Sequence, residues 1–499
     1  MTDEVDDPIG HHAQQEKEPF MSQIPSPGTL LGEAEIPPSS QWEERPTSVR
    51  YAVLGFLAAM TFVLYLDRVC ISKAGPRIQE ELGISNTAMG FVFAAFTLSY
   101  GLFEIPTGRW GDRYGSRGVL TRIVVWWSVF TALTGAAGGF LMLLLVRFLF
   151  GAGEAGALPN SARVLREWFP ESSRGWAQGL VTTAMMIGGA AAPMASQALI
   201  DTVGWRWSFG VFGIIGLLWA TAFYLWFRDN PSDHPATNQA EKRLIAEGKN
   251  PPKALVVEPE VLAPDLAVEI GDDLQAHEPI PWKIVLRNAN VWLLGGVMMT
   301  MSGVYYMLIS WYPTYLERAR GASPVQSGRL ASLVLGAGAF GCFFGGWLTD
   351  WLVKKTGDRR WGRTAQSVGG AALAALGILV SLLTESTILA SVFVALACLG
   401  VQIQLPAWWA SATQVSGRHL GALFGLMNMI GALGAICSQL FLGSLADIMG
   451  KWGRTGRAQW DPGFFAYVAV ALVGMTLWSL IDPRKTVESH SKGTSTELV

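Results

Sequence analysis

Charged residues are scarce in this sequence of 499 residues: Asp, Glu, Lys and Arg together make up 15% of it, against about a quarter in soluble domains. Half of the residues are hydrophobic, and the mean hydropathy is +0.31. One soluble core cannot enclose so much apolar surface, which argues against a cytosolic enzyme and against a disordered scaffold. The net charge of −2 provides no basic field for a polyanion, so we expect no nucleic-acid partner.

Cysteine is also rare, and its placement excludes several kinds of site. The four cysteines lie inside apolar stretches, with no CxxC pair and no nearby His: Cys70, Cys342, Cys398 and Cys437. This pattern predicts neither a disulfide framework nor a zinc or iron–sulfur site. The P-loop, HExxH and GxSxG patterns are absent as well. We therefore expect no cofactor, no metal and no enzymatic activity of those classes.

Long apolar runs are abundant. Twelve of them follow residue 50, and each has about the 20 residues that a helix needs to cross a bilayer. They lie near 51–72, 88–108, 118–137, 140–165, 175–200, 207–228, 290–316, 327–350, 366–384, 387–411, 419–443 and 463–481. The sequence therefore predicts an all-α membrane protein with twelve transmembrane helices in two six-helix bundles.

Polar stretches divide the chain into five parts. We predict an N-terminal tail over 1–48, a six-helix bundle over 49–228, a linker over 229–288, a second six-helix bundle over 289–482 and a C-terminal tail over 483–499. Most Lys and Arg residues lie in the tails, the linker and the even-numbered loops. The positive-inside rule places those segments, and hence both termini, in the cytoplasm.

The two predicted bundles resemble each other. GRWGDRYGSR (108–117) follows the second apolar run, and GGWLTDWLVKK (345–355) follows the eighth. Both are Gly-Asp-basic segments at equivalent positions of the two halves. Parallel six-helix repeats of this kind are typical of transporters that hold substrate between the halves.

Several further segments carry a more specific resemblance. They are YLDRVCISKAGPRIQEELGIS (65–85), RFLFGAGEAGALPN (147–160), WFPESSRGWAQG (168–179), GWRWSFGVFG (204–213) and DNPSDHP (229–235). Together with the 108–117 loop they resemble the major facilitator superfamily and, within it, the anion:cation symporter family of hexuronate, aldonate and aldarate permeases. The resemblance implies the two-bundle fold, a monomer, and proton-coupled symport of a small organic anion by alternating access. The absence of N-x-[ST] sequons favours a bacterial inner membrane.

Ionisable residues inside the apolar runs need a partner or a water-filled path, because an unpaired charge at bilayer depth is costly. The first run contains Asp67 and Arg68, the second contains Glu104, and the fourth contains Arg147 and Glu154. Adjacent residues point about 100° apart on a helix, so one can face its own bundle and the other the central cavity. We predict that Asp67 pairs with Arg147, which leaves Arg68 free to bind an anion.

The resemblance assigns roles to these positions. In the related sugar-acid symporters, the carboxylates matching Asp67 and Glu154 bind protons, and the arginine matching Arg68 holds the substrate carboxylate. Tyrosines matching Tyr65 and Tyr100 line the pocket. A guanidinium fork suits a carboxylate, which agrees with the role given to Arg68. The alternative is that the buried charges form a folding network only.

Further candidates lie in the second half and in the second run. The resemblance assigns Asn428 to substrate hydroxyls and Trp408 to a cavity wall. Glu104 belongs to the charge network as a structural carboxyl or as a third titrating group. Additional polar and aromatic candidates for the cavity are Tyr305, Tyr306, Trp311, Gln402, Gln404 and Trp409. The tryptophans also suit packing or an interfacial belt.

The segment from Gly108 to Arg117 predicts a cytoplasmic gate. Asp112 can cap the N-terminus of a facing helix, where the macrodipole favours an anion. Arg113 and Arg117 can pair with acids at neighbouring helix ends. Such contacts would hold the cytoplasmic side closed in an outward-open state, whereas the plainer alternative is a solvated turn.

These observations favour proton-coupled symport of a small organic anion across a lipid bilayer, with a sugar acid such as a hexuronate or aldonate as substrate. Three alternatives remain open at the level of sequence: symport of a small carboxylate or sulfonate, exchange of anions by the same fold, and a nutrient receptor that binds without transport.

Overall fold

The computed structural model describes residues 45–247, 282–416 and 420–482. Most of the predicted tails and the middle of the predicted linker lie outside these residues. Within them, eleven helical segments are long and apolar enough to cross a membrane. The longest segment, Glu171–Trp226, consists of two helices that meet at Gly204, where φ is +79°. The described chain therefore contains the twelve spans that the sequence predicts.

The bounds of the spans follow. In the first half they are Val49–Leu82, Asn86–Tyr114, Ser116–Gly135, Phe140–Trp168, 171–203 and 205–226. In the second half they are Ala289–Arg318, Pro324–Thr356, Arg359–Leu383, Thr387–Ser416, Leu420–Lys451 and Arg457–Leu480. Two short helices, Gln239–Glu247 and Trp282–Arg287, lie between the halves in sequence. Several spans exceed the apolar runs because the helices continue into polar residues at their ends.

The fourth and tenth spans are each broken into two helices at equivalent places of the two halves. The fourth consists of Phe140–Glu154 and Ala157–Trp168, and the tenth of Thr387–Gln402 and Leu405–Ser416. The first break contains Gly156, whose φ of +87° favours a residue without a side chain. The matching breaks support the internal repeat predicted from the sequence.

Small residues allow helices to approach closely within each half. The first span packs against the fifth, and a Cβ at Gly188 would collide with the Phe62 carbonyl oxygen. The seventh span packs against the eleventh in the same way, with Gly434 facing the Met299 carbonyl oxygen. Gly188 in the fifth span thus allows close packing of two helices.

The two halves touch mainly through the second and eleventh spans and through the fifth and eighth spans. We call the end of the molecule where Val49 and Leu480 lie the terminal end, and the end where Leu82 and Arg318 lie the opposite end. Among the described residues, the hydrogen bonds and ion pairs between the halves lie in the part of the molecule toward the opposite end. The molecule is therefore held closed at the opposite end.

Candidate functional site

Arg68 and Glu154 form an ion pair in the first half, next to the second half. The Arg68 Nε donates a hydrogen bond of 3.0 Å to Glu154 Oε1, and its Nη2 donates to the same oxygen. Glu154 is fully buried, and its Oε2 has no hydrogen-bond partner within the described residues. The pair therefore retains an unused acceptor and unused guanidinium donors, so it can accept a proton or bind an anion.

Three aromatic rings surround the Arg68 guanidinium. Its Cζ lies 4.7 Å from the ring centroid of Tyr65, 4.9 Å from Phe96 and 4.8 Å from Tyr100. These distances suit cation–π attraction, which holds the guanidinium in place and excludes water from it. Tyr65 and Tyr100 thus lie beside Arg68. The aromatic box, defined here as Tyr65, Phe96 and Tyr100, includes one residue that the sequence analysis missed.

The predicted ion pair between Asp67 and Arg147 is wrong in this structure. Asp67 is buried, and neither carboxylate oxygen has a hydrogen-bond partner among the described residues. The Arg147 guanidinium lies 4.3 Å from the ring centroid of Phe150, one turn along its own helix. This stacking directs the guanidinium along the fourth span. Arg147 acts on Asp67 only electrostatically, without a hydrogen bond, while Arg68 takes Glu154 as its partner.

Asp67 faces a buried polar region inside the first half. Trp127 and Thr131 of the third span lie beside its carboxylate. The Trp127 indole nitrogen, the Thr131 hydroxyl and the Arg147 Nε are all buried without a hydrogen-bond partner in the described part of the chain. Unsatisfied donors around a carboxylate are unusual in protein interiors. The region adjoins the aromatic box, because the Arg147 Cζ lies 5.2 Å from the ring centroid of Phe96.

The candidates of the second half divide into two groups. Tyr306 acts electrostatically on Arg68 from across the interface, and Asn428 is half-buried on the eleventh span. Trp408, in contrast, is fully buried, and its indole donates to the Leu294 carbonyl at 2.9 Å. Trp408 is therefore packed inside the second half and is not a cavity wall here, which corrects that expectation.

Trp311 and Gln404 also serve packing. Trp311 is fully buried, donates to the Gln439 carbonyl at 3.0 Å and meets Phe93 of the first half edge-on. Gln404 accepts a hydrogen bond from Trp478 inside the second half. Gln439, which the sequence analysis missed, accepts a hydrogen bond of 3.0 Å from Thr97. The contacts of Trp311 with Phe93 and of Gln439 with Thr97 join the halves on the opposite-end side of the aromatic box.

Within the described part of the chain, the residues from Gly108 to Arg117 bond to the first half and to Asp229, the first residue of the predicted linker. The Arg117 amide donates to Asp229 Oδ1 at 2.8 Å, and its guanidinium donates to the Tyr224 carbonyl at 2.9 Å. The Arg113 guanidinium lies 5.4 Å from the ring centroid of Tyr114. The side chain of Asp112 lies outside the described residues, so its capping role stays a prediction.

Asp447 joins the two halves at the opposite end. Its carboxylate accepts hydrogen bonds from the Asn86 amide at 3.2 Å and from the Thr87 amide and hydroxyl at 2.7 Å each. An eleventh-span carboxylate thus caps the N-terminus of the second span, where the macrodipole favours a negative charge. The sequence shows only that Asp447 lies near a helix end, because the capped helix belongs to the other half.

An ion-pair cluster joins the halves beside Asp447. Glu317 of the seventh span pairs with Lys73, and its Oε2 lies 3.1 Å from Arg77 Nη1. Lys73 is fully buried, so its charge depends on this partner. We call Lys73, Arg77, Glu317, Asp447 and the start of the second span the opposite-end lock.

The comparisons with known proteins identify the family. The model of the Major Facilitator Superfamily matches residues 57–439. The chain belongs to this superfamily. Among its relatives is "Probable sulfoacetate transporter SauU" of Cupriavidus necator, 30% identical over 441 residues, which cover 88% of this chain and 95% of the relative. The D-galactonate transporter of Escherichia coli is 28% identical over 442 residues, with 88% and 96% coverage.

Solved structures of other transporters have the same fold as this chain. A bacterial homologue of the human lysosomal transporter Spinster matches with a TM-score of 0.70 at 20% identity, covering 89% of this chain and 98% of its own. The D-xylose-proton symporter matches with a TM-score of 0.65 at 14% identity, with coverage of 87% and 98%. The chain is thus an integral, multi-pass transporter with the twelve-helix fold of two bundles, and it is not an enzyme.

Proposed function

We propose that the chain is a proton-coupled symporter of a small organic anion, with a sugar acid such as a hexuronate or aldonate as substrate. The observation that carries this proposal is the Arg68–Glu154 ion pair inside the aromatic box. Relatives named as transporters of D-galactonate and of galactarate/D-glucarate support a sugar acid. The relative named for sulfoacetate supports a small sulfonate as the second candidate.

Proton binding and anion binding are coupled at this ion pair, because the proton binds to Glu154 and the anion binds to its partner, Arg68. An ionised Glu154 neutralises Arg68 and occupies part of its guanidinium fork. A proton on Glu154 removes that negative charge, and the fork can then bind a carboxylate or sulfonate at two oxygens. The proton and the anion leave on the same side of the membrane, and the ion pair forms again.

Asp67 is the second proton site in this proposal. A protonated Asp67 could be buried without a counter-ion, whereas an ionised one is costly at this depth. Its burial without a hydrogen-bond partner in the described residues supports this assignment. Tyr65, Tyr100 and Asn428 would line the substrate site.

We further propose a bacterial inner membrane, a monomer, and both termini in the cytoplasm. The relatives named above are bacterial, and the positive-inside rule favours this orientation. Closure at the opposite end then corresponds to an inward-open state in alternating access. In the outward-open state, the residues from Gly108 to Arg117, Asp112 among them, would close the terminal end as a cytoplasmic gate. Residues 49–228 and 289–482 would move as two bundles, joined by the linker over 229–288.

The test uses the full chain in proteoliposomes, with labelled aldonates, hexuronates and small sulfonates. We expect Arg68→Ala to weaken anion binding by about 100-fold, because it removes a charged hydrogen-bond donor pair. We expect Glu154→Gln to retain counterflow and to lose uptake driven by a pH gradient. Arg166→Ala, an exposed arginine of the same half, is the matched control.

Three results would contradict the proposal. Normal anion binding by the Arg68→Ala variant would remove Arg68 from the substrate site. Intact pH-driven uptake by the Glu154→Gln variant would show that Glu154 does not couple proton and anion. Binding without counterflow by the wild-type protein would instead indicate a receptor.

A further inference from the structure

Glu104 lies on the face of the second span that is turned toward the other half. Thr97, Tyr100 and Glu104 are three and four residues apart, a spacing that places side chains on one face of a helix. Thr97 hydrogen-bonds across the interface to Gln439, and Tyr100 belongs to the aromatic box. Glu104 lies one turn beyond Tyr100, a rise of about 6 Å toward the terminal end.

Among the residues that the structure describes, none is a hydrogen-bond or ion-pair partner of the Glu104 carboxylate. Only its backbone carbonyl is used, as an acceptor for the Thr107 hydroxyl. Within the described part of the chain, no hydrogen bond or ion pair satisfies the carboxylate, and it is half-buried. Arg68 from its own half and Tyr306 from the other half are close enough to interact with it electrostatically. The half-buried Glu104 carboxylate therefore lies near Arg68, and no described residue uses its acceptor oxygens.

The charges around this space favour one kind of ligand. Arg68 supplies one positive charge, and Glu154 already pairs with it. An anionic group bound to Arg68 would place the rest of the ligand near Glu104. A second anionic group there would meet a carboxylate of the same sign in partly buried surroundings, where screening is weak. A hydroxyl there would donate a charge-assisted hydrogen bond to the same carboxylate.

We propose that Glu104 is a specificity-determining residue that selects a hydroxylated monoanion over a dianion. The substrate then carries one carboxylate or sulfonate, bound by Arg68, and a hydroxyl at its far end, bound by Glu104. This inference rests on the proposed function, because it takes Arg68 as the anion site. It narrows the substrate class to acids such as aldonates and hydroxyalkanesulfonates and excludes aldarates and sulfoacetate.

The test compares ligands that differ only at the far end. Purified full-length protein at pH 8 is titrated calorimetrically with galactonate and galactarate, and with 2-hydroxyethanesulfonate and sulfoacetate. We expect the wild-type protein to bind each monoanion at least tenfold more tightly than the matching dianion. Glu104→Gln keeps the size and one acceptor but removes the charge. We expect it to reduce this ratio by about tenfold, mainly by strengthening dianion binding.

Controls separate the possible failures. Glu171→Gln neutralises an exposed carboxylate at the start of the fifth span and should leave the ratio unchanged. If Glu104→Gln folds and keeps the wild-type ratio, while Arg68→Ala loses both ligands of a pair, the role of Glu104 is overturned and the proposed function stands. If none of the four anions binds the wild-type protein, both the proposed function and this inference are overturned.

Discussion

His234 is a buried imidazole just after the sixth span, and its surroundings are unfavourable for a proton. The ring meets Trp168 at 5.8 Å and Trp226 at 4.6 Å, both edge-on. Its Nδ1 accepts from the Ala236 amide at 3.3 Å, and its Nε2 is buried without a partner in the described chain. Burial, with the nearby Arg228 charge, lowers the pKa of His234 below its usual value.

A pH-dependent stability follows from this lowered pKa. Because the unfolded chain binds the proton more strongly than the folded one, the stability from this site is complete above about pH 6.5 and is lost as the pH falls through the lowered pKa. We expect the melting temperature to fall between pH 7 and pH 5, and His234→Phe to flatten that dependence. Thermal unfolding of both proteins across this range is the measurement, and equal slopes would contradict the prediction.

At the same scale, the ion pairs of the site depend on which side chains lie next to each buried charge. The sequence correctly placed ionisable residues at membrane depth in the first, second and fourth spans, because the apolar runs that contain them can be read directly from the sequence. The predicted pair of Asp67 and Arg147 does not form, since Arg147 stacks on Phe150 and Arg68 pairs with Glu154. Which carboxylate meets which guanidinium depends on the rotation and offset of two helices, and no local pattern encodes these.

At the scale of the element, close contacts between helices depend on individual glycines. Gly188 of the fifth span faces the first span at a distance that leaves no room for a Cβ beside the Phe62 carbonyl. Gly175, on the same helix, has no heavy atom within 4 Å of its would-be Cβ. These two positions form a matched pair: the residue type and the helix are the same, and only the packing differs.

We expect Gly188→Ala to destabilise the protein by about 1–3 kcal/mol, because the first and fifth spans must separate to accommodate the methyl group. Gly175→Ala should instead stabilise it by roughly 0.5–1 kcal/mol, since alanine restricts the unfolded chain. Melting temperatures of the two variants in the same detergent are the measurement. Similar shifts for both would show that the close approach at Gly188 does not limit packing.

At the scale of the whole molecule, the opposite-end lock selects one of the conformations in alternating access. Asp447 and Glu317 both reach from the second half to the first. Their partners, the start of the second span and the basic pair Lys73 and Arg77, separate if this end opens. Opening therefore breaks charge-assisted hydrogen bonds that are stronger than neutral ones.

We expect Asp447→Asn to shift the population toward opening at this end, because the amide lacks the charge that the helix N-terminus attracts. The distance between spin labels at Glu80 and Arg329, two exposed positions on different halves, should lengthen in a larger fraction of molecules. Asp461→Asn is the control, since Asp461 bonds to Tyr315 and Arg457 inside one half. Unchanged distances in the Asp447 variant would contradict a locking role.

The amino-acid sequence alone was sufficient to predict the twelve spans, their division into two halves and the family. The length of the apolar runs and the Gly-Asp-basic repeats are local properties, which can be recognised in the sequence without a structure. The resemblance to the family, rather than any local pattern, grouped Arg68, Tyr65 and Tyr100 into one site. The equivalent breaks at Gly156 in the fourth span and at 403–404 in the tenth were not predicted, since each half of a broken span is apolar enough to look continuous.

The folded structure was needed to establish which groups pair, which end is closed and which candidates are buried. Trp408 and Gln404 are polar-tipped residues in apolar runs, and the sequence cannot tell a cavity wall from a satisfied core residue. Asp447 finds its partners more than 350 residues away, at Asn86 and Thr87. Side-chain pairing across helices depends on how two bundles sit against each other, and that arrangement is a property of the folded molecule.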